Sequence, residues 1–179
     1  MSGSGDLPPL PWVYPYQEDG PRLDSIVRRP IVSAALAGPS GGVSSGVYAL
    51  VDSGCSHILA APWLALEVGV EPKDSVRELD LGIGGRTVKA RFLDLRIRLL
   101  APGGTDEQYL EWDAEVGFVD HWRPTFALLL GQNGFFNRFT ITMSNFAFLT
   151  AVEPPEAFDD RFGVPTAPQP PYVSERRKY

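Results

Sequence analysis

Hydrophobic residues along this chain fall mostly into short runs with a period of two, broken by glycine, proline and serine rather than wound around a helix. "PIVSAALAG" and "GVYALVDSG" are two such runs, and the Gly- and Ser-rich "GPSGGVSSG" between them predicts paired strands joined by a loop. "LAAPWLALEVGV" is different. Pro62 suits the first turn of a helix and Gly69 its end, so one short helix is expected there. The period of two returns in "LDLGIGGRTVKARF", where Leu79, Leu81, Ile83, Val88, Ala90 and Phe92 alternate around three glycines. That pattern predicts a hairpin with a glycine tip, projecting from the body.

Alternation continues through Leu93, Leu95, Ile97 and Leu99, but its parity flips after Phe92, as expected where a strand bulges or crosses from one environment to another. "YLEWDAEVGFV" predicts a further strand. "FALLLGQNGFFNRFTITMSNFAFLT" predicts an apolar strand that breaks at Gly131, a short helical turn, and more strands. The expected fold class is all-β with one or two short helices. Two Pro-rich ends, residues 1–28 and 152–179, read as an N-terminal arm and a C-terminal tail around a working domain of 29–151.

Composition narrows the function classes. With 179 residues and 44% hydrophobic content, one domain with a real core is expected. Against 22 acidic residues stand 16 basic ones, so there is no electrostatic footprint for nucleic acid or an anionic membrane, and neither partner is expected. The single cysteine, Cys55, cannot form an intrachain disulfide, which permits a reducing compartment. The N-terminus lacks a basic segment followed by an apolar one, and no run approaches the roughly 20 apolar residues of a membrane span. A soluble, cytoplasmic protein is expected.

Candidate chemistry centres on Asp52, which ends the run "YALV" and is followed by Ser53 and Gly54. A carboxylate at the exit of a buried strand has its pKa raised unless its charge is paired or hydrogen-bonded. Alone, the tripeptide also reads as an aspartate bonding its own turn. Three stretches in order change the picture: "ALVDSGCSH" resembles the active-site signature of retropepsin-like aspartic proteases, "LGIGGRTVKARF" their flap, and "ALLLGQNGFF" their apolar-apolar-Gly segment and following helix. Together they cover most of 29–151, and the departures below resemble bacterial or cellular members more than viral ones.

The resemblance implies a closed β-barrel of the acid-protease kind, a single lobe pairing as a homodimer, and an endopeptidase acting on peptide or protein substrates. It makes Asp52 the catalytic carboxylate, with Ser53 interlocking the two motif loops, Gly54 allowing close approach and donating an N–H, and Ser56 supporting the loop. Ile83, Gly84, Gly85 and Arg86 become the flap tip, pairing with an extended peptide as an added strand. Leu129, Leu130 and Gly131 pack behind the loop and wall the pocket. Two facing carboxylates share one proton, so one activates a water while the other protonates the scissile carbonyl. Only one Asp-[Ser/Thr]-Gly is present, so the second carboxylate must come from a second copy. No metal or organic cofactor is needed.

Two departures stand out. Gln132, followed by Asn133, replaces an arginine common in the family, removing an ion pair expected to brace the loop. The stretch containing "EWDAEVGFVDHWRP" is longer than in viral members. A protease-like dimerisation and peptide-binding module that does not cleave is the alternative. Other motifs lack context. Ser44 in "GVSSG" matches a nucleophile elbow, but a loop precedes it and a strand follows. Cys55 and His57 lack the helix N-terminus or third group of a thiol site. His57, His121 and one cysteine fall short of a zinc set. "GIGG" lacks the Gly-Lys-[Ser/Thr] of a phosphate loop.

Overall fold

The structure is a computed structural model that describes residues 9–19, 27–83 and 85–163. The chain begins with β1 (Trp12–Pro15) and a small antiparallel ribbon of β2 (Gln17–Asp19) and β3 (Val27–Arg29). β4 (Ile31–Ala37) and β5 (Val47–Val51) pair antiparallel, and β6 (Ile58–Ala60) leads into α1 (Pro62–Glu67), which has proline at its start. After a 3-10 turn (Pro72–Asp74) come β7 (Arg77–Ile83), β8 (Arg86–Leu100), β9 (Tyr109–Val119) and β10 (Leu128–Leu130). A kinked π-helical turn (Gln132–Phe136), β11 (Thr140–Ser144), β12 (Leu149–Glu153) and α2 (Ala157–Phe162) complete the described chain.

Six strands close into a barrel in the order β4-β5-β10-β6-β9-β8, because the far half of β8 pairs back onto β4. β7 adds to the other end of β8 as the glycine-tipped hairpin. The barrel interior holds Val32, Ala34, Leu36, Ala49, Val51, Ile58, Ile97, Leu99, Val116, Phe118, Leu128 and Leu130, each almost fully buried. Burying that much apolar surface is the main stabilising term of the fold.

The parity flip at residues 92–93 is no bulge. β8 keeps one-to-one register with β9 from Ala90↔Val119 to Leu100↔Tyr109 and with β7 from Arg77↔Phe92 to Ile83↔Arg86. What changes is which face is covered: Ala90 and Phe92 are buried on the outer face, whereas Leu95, Ile97 and Leu99 are buried inside the barrel. One straight strand therefore serves two cores.

The core also reaches outside residues 29–151. β1 pairs with β12, Trp12 and Tyr14 are buried in the main cluster, and the Tyr14 hydroxyl donates to the Leu100 carbonyl at 2.7 Å. Burial pushes that phenol far above its ordinary pKa. Trp12 and Tyr14 alternate with exposed Val13 and Pro15, a pattern of only four residues among prolines. On the other side, Val152 joins the core and α2 falls within the expected tail. Among the described residues, no helix is long and apolar enough to cross a membrane.

Candidate active site

Alternation in β5 decides where the carboxylate goes. Ala49 and Val51 point into the barrel, so Leu50 and Asp52 take the outer parity. The Asp52 backbone N–H donates to the Leu130 carbonyl at 3.1 Å, which ties the strand exit to β10. Asp52 Oδ1 accepts the Gly54 N–H at 2.8 Å, and the Asp52 carbonyl accepts the Cys55 N–H at 3.2 Å. The turn is thus an Asx arrangement that also aims the carboxylate. Asp52 is half-buried while Ser53, Gly54 and Ser56 are exposed, so the loop lies on an open surface.

The chain after β10 clamps this loop from behind. A Cβ on Gly131 would lie 2.3 Å from the His57 carbonyl oxygen and 2.6 Å from that of Cys55, closer than atoms can approach. With φ at −102°, Gly131 is required by proximity and not by backbone conformation. The Gln132 N–H donates to the Cys55 carbonyl at 2.8 Å and the Asn133 N–H to the Ser56 carbonyl at 3.0 Å. The Gln132 side-chain amide donates to the Ser53 carbonyl at 2.7 Å. A neutral amide therefore braces the loop where the sequence suggested only a lost ion pair; its signal was the pair of donors that glutamine shares with arginine. Beyond the clamp, the Trp112 indole N–H donates to the Gly134 carbonyl at 2.8 Å, pinning the turn to β9.

Leu129 and Leu130 part company. Leu130 is fully buried inside the barrel, behind the Asp52 loop, and the period of two turns it away from the surface that Asp52 shares. Leu129 faces outward, in a cross-strand row that the pairing defines across seven strands: Ile31, Leu50, Leu129, Leu59, Gly117, Phe92 and Arg77. This row is apolar from Ile31 to Phe92. A Cβ on Gly117 would lie 2.7 Å from the Phe92 ring and 2.9 Å from Leu59, so glycine makes room for its neighbours there.

Two outer clusters lie along the row. Leu59, Ala90, Phe92 and Val119 form one, with Cys55, Leu79, Leu81 and Val88 packed against it; Ile31, Leu50 and Phe126 form the other. The hairpin stem and the Asp52 loop thus share an apolar cluster. At the tip, Ile83 pairs with Arg86, Gly85 has φ of +76°, and Arg86 is exposed. Gly84 lies outside the described residues.

The environment of "CSH" answers the rival readings. The Cys55 thiol donates to the His57 carbonyl at 3.3 Å; burial pushes its pKa up, and the nearby Asp52 charge adds to that shift. The His57 ring packs on Phe92, 5.1 Å between centroids, and burial together with the Arg77 charge pushes its pKa down. Arg77 lies over the same Phe92 ring and pairs with Glu115. A protonated thiol beside a neutral imidazole is the opposite of a thiolate site. Ser44 is buried, accepting the Leu36 N–H and donating to the Ser45 carbonyl, which leaves it a loop-closing residue. Among the described residues, no three His, Cys, Asp or Glu side chains group to hold a metal ion.

The fold and site define a six-stranded β-barrel that presents one braced carboxylate at its surface. No family model and no curated protein matches the chain. Solved structures similar to it include two that cover about two thirds of the chain. One is the retroviral protease-like domain of Ddi1 from Leishmania major, 15% identical over 66% of this chain and 83% of that one, TM-score 0.42. Another is a retropepsin-like aspartic protease from Rickettsia conorii, 12% identical over 68% of this chain and 88% of that one, TM-score 0.40. The reading of the site rests on its own residues.

Proposed function

We propose that the protein is an aspartic endopeptidase whose active unit is a homodimer. The observation that supports this reading best is a single carboxylate, Asp52, aimed outward from an exposed loop that is braced from behind by Gly131 and Gln132. A lone carboxylate can act as acid or base in a given turn but not as both, so hydrolysis needs a second one. A second copy docking through the exposed Ser53-Gly54 edge would bring the two Asp52 side chains together, where they share one proton. The deprotonated carboxylate takes a proton from water, which attacks the scissile carbonyl; the protonated carboxylate gives its proton to the carbonyl oxygen. The intermediate then collapses: the first carboxyl gives the proton it took from water to the amine nitrogen, the C–N bond breaks, and the second carboxylate takes back the hydroxyl proton. An extended peptide would pair with the glycine-tipped hairpin as an added strand, with Ile83, Gly84, Gly85 and Arg86 at the point of contact.

Asp52→Asn tests the mechanism. Cleavage of an unstructured protein substrate should fall by at least about a thousandfold, on the scale of losing a catalytic acid–base group, while sedimentation shows an unchanged dimer. Full activity in that variant would end the proposal. A wild-type monomer that binds peptides without cutting them would favour a peptide-binding module instead.

A further inference from the structure

Trp122 and Phe126, on the segment that joins β9 to β10, pack on the outer face of the barrel over part of the cross-strand row. Trp122 sits at the centre of this cover. It packs against both outer clusters, the one around Leu59 and Phe92 and the one around Ile31 and Leu50; Leu129, in the middle of the row, does the same. The Trp122 indole N–H donates to the Phe126 carbonyl at 2.7 Å, and the two rings meet edge to face at 5.9 Å. Phe126 is itself buried, so the indole is held in place and not simply lying on the surface.

The row and the carboxylate share one surface. Leu50 lies on the outer face of β5, two residues before Asp52, and Leu129 is paired with Leu50. A peptide laid across Asp52 and paired with the hairpin would direct alternate side chains down onto this row. Trp122 packs against the cluster that holds Leu50, and Leu129 packs against that same cluster. We infer that Trp122 is the specificity-determining residue of the proposed active site: it fills the middle of the trough and confines the peptide residue next to the scissile bond to a small side chain. This rests on the reading of Asp52 as half of a catalytic pair.

The test uses the full chain and two hexapeptides that differ only in one central residue, Ala or Phe. For the wild type, kcat/KM should favour the Ala peptide. In Trp122→Ala the Phe-to-Ala ratio of kcat/KM should rise by at least about tenfold, since each methylene admitted to an apolar pocket is worth roughly tenfold or more. A general loss of stability lowers both rates together and leaves the ratio alone, so an unchanged ratio in folded Trp122→Ala overturns the inference. Trp122→Leu, which keeps an apolar cover, should fall between the two; if neither variant folds, Trp122 is a core residue and the inference fails. Should no form cleave either peptide, the protease reading fails by itself. Fluorescence anisotropy of the labelled Phe hexapeptide then decides: about tenfold tighter binding to Trp122→Ala supports trough filling, and equal or undetectable binding to both forms overturns it.

Discussion

Two glycine-bearing turns carry the proposed chemistry, and they are held in opposite ways. The Asp52 loop is gripped from behind by β10 and the turn after it: two backbone N–H groups, one side-chain amide and a glycine too close to its neighbours to carry a Cβ. The hairpin tip is held by its own strand pair, since β8 outruns β9 beyond Ala90 and residues 86–89 pair with β7 alone. Geometry at the reacting carboxylate needs rigid support, whereas a strand that captures a peptide needs free backbone donors and acceptors.

The sharpest way to break this contrast is to place a methyl group on the clamp behind the Asp52 loop and another on the hairpin. Gly131→Ala drives a Cβ into two carbonyl oxygens and should cost about 3 kcal/mol in urea denaturation, the upper end for overpacking. Gly82→Ala in the hairpin meets nothing within 4 Å, so its stability should change by less than about 0.5 kcal/mol. Equal effects would mean that the two turns are equally constrained.

A smaller effect is expected from the polar contacts. Gln132→Ala removes the amide that holds the Ser53 carbonyl, worth about 1 kcal/mol as a single hydrogen bond, and should lower kcat by more than it raises KM. On the hairpin, Lys89 pairs with Glu78 and Asp80 on an exposed surface. Lys89→Ala should leave the denaturation midpoint where it is, because exposed pairs are screened by solvent and salt. A larger loss for Lys89→Ala than for Gln132→Ala would reverse the comparison.

The smallest effect concerns pH. His57 joins the two regions, since its backbone lies under Gly131 and its ring packs on Phe92 at the hairpin's base. Its pKa is pushed below the ordinary 6.5 by burial first and the Arg77 charge second, with Glu115 opposing. The unfolded chain therefore takes up the proton first. Stability from this group is present above about pH 6.5 and is lost as pH falls through the lowered folded value. Urea midpoints measured from pH 8 down to 5 should decline on the acid side, and His57→Gln should flatten that decline.

Much of the architecture was legible because period-two alternation is a local property. β4, β5, the hairpin, β9 and the proline-started α1 all lie where the hydrophobic pattern and the glycines place them. The parity flip in β8 was legible too, but not its cause, because a bulge and a change of covered face leave the same trace in one strand. Trp12 and Tyr14 were hidden among prolines, and their burial depends on β12, more than a hundred residues away. In the site, the outward aim of Asp52 follows from parity in β5, whereas Leu130 follows the same rule to the opposite face.

By itself, then, the sequence determined strands and turns and put Asp52 at the exit of β5, since each depends on neighbours within a few residues. Tertiary structure alone decided what lies behind and across that carboxylate. That Gln132 reaches the Ser53 carbonyl, that Gly131 fits under His57, and that Trp122 packs against both outer clusters are contacts between residues far apart in the chain. Such contacts depend on barrel closure and register, which no local pattern encodes.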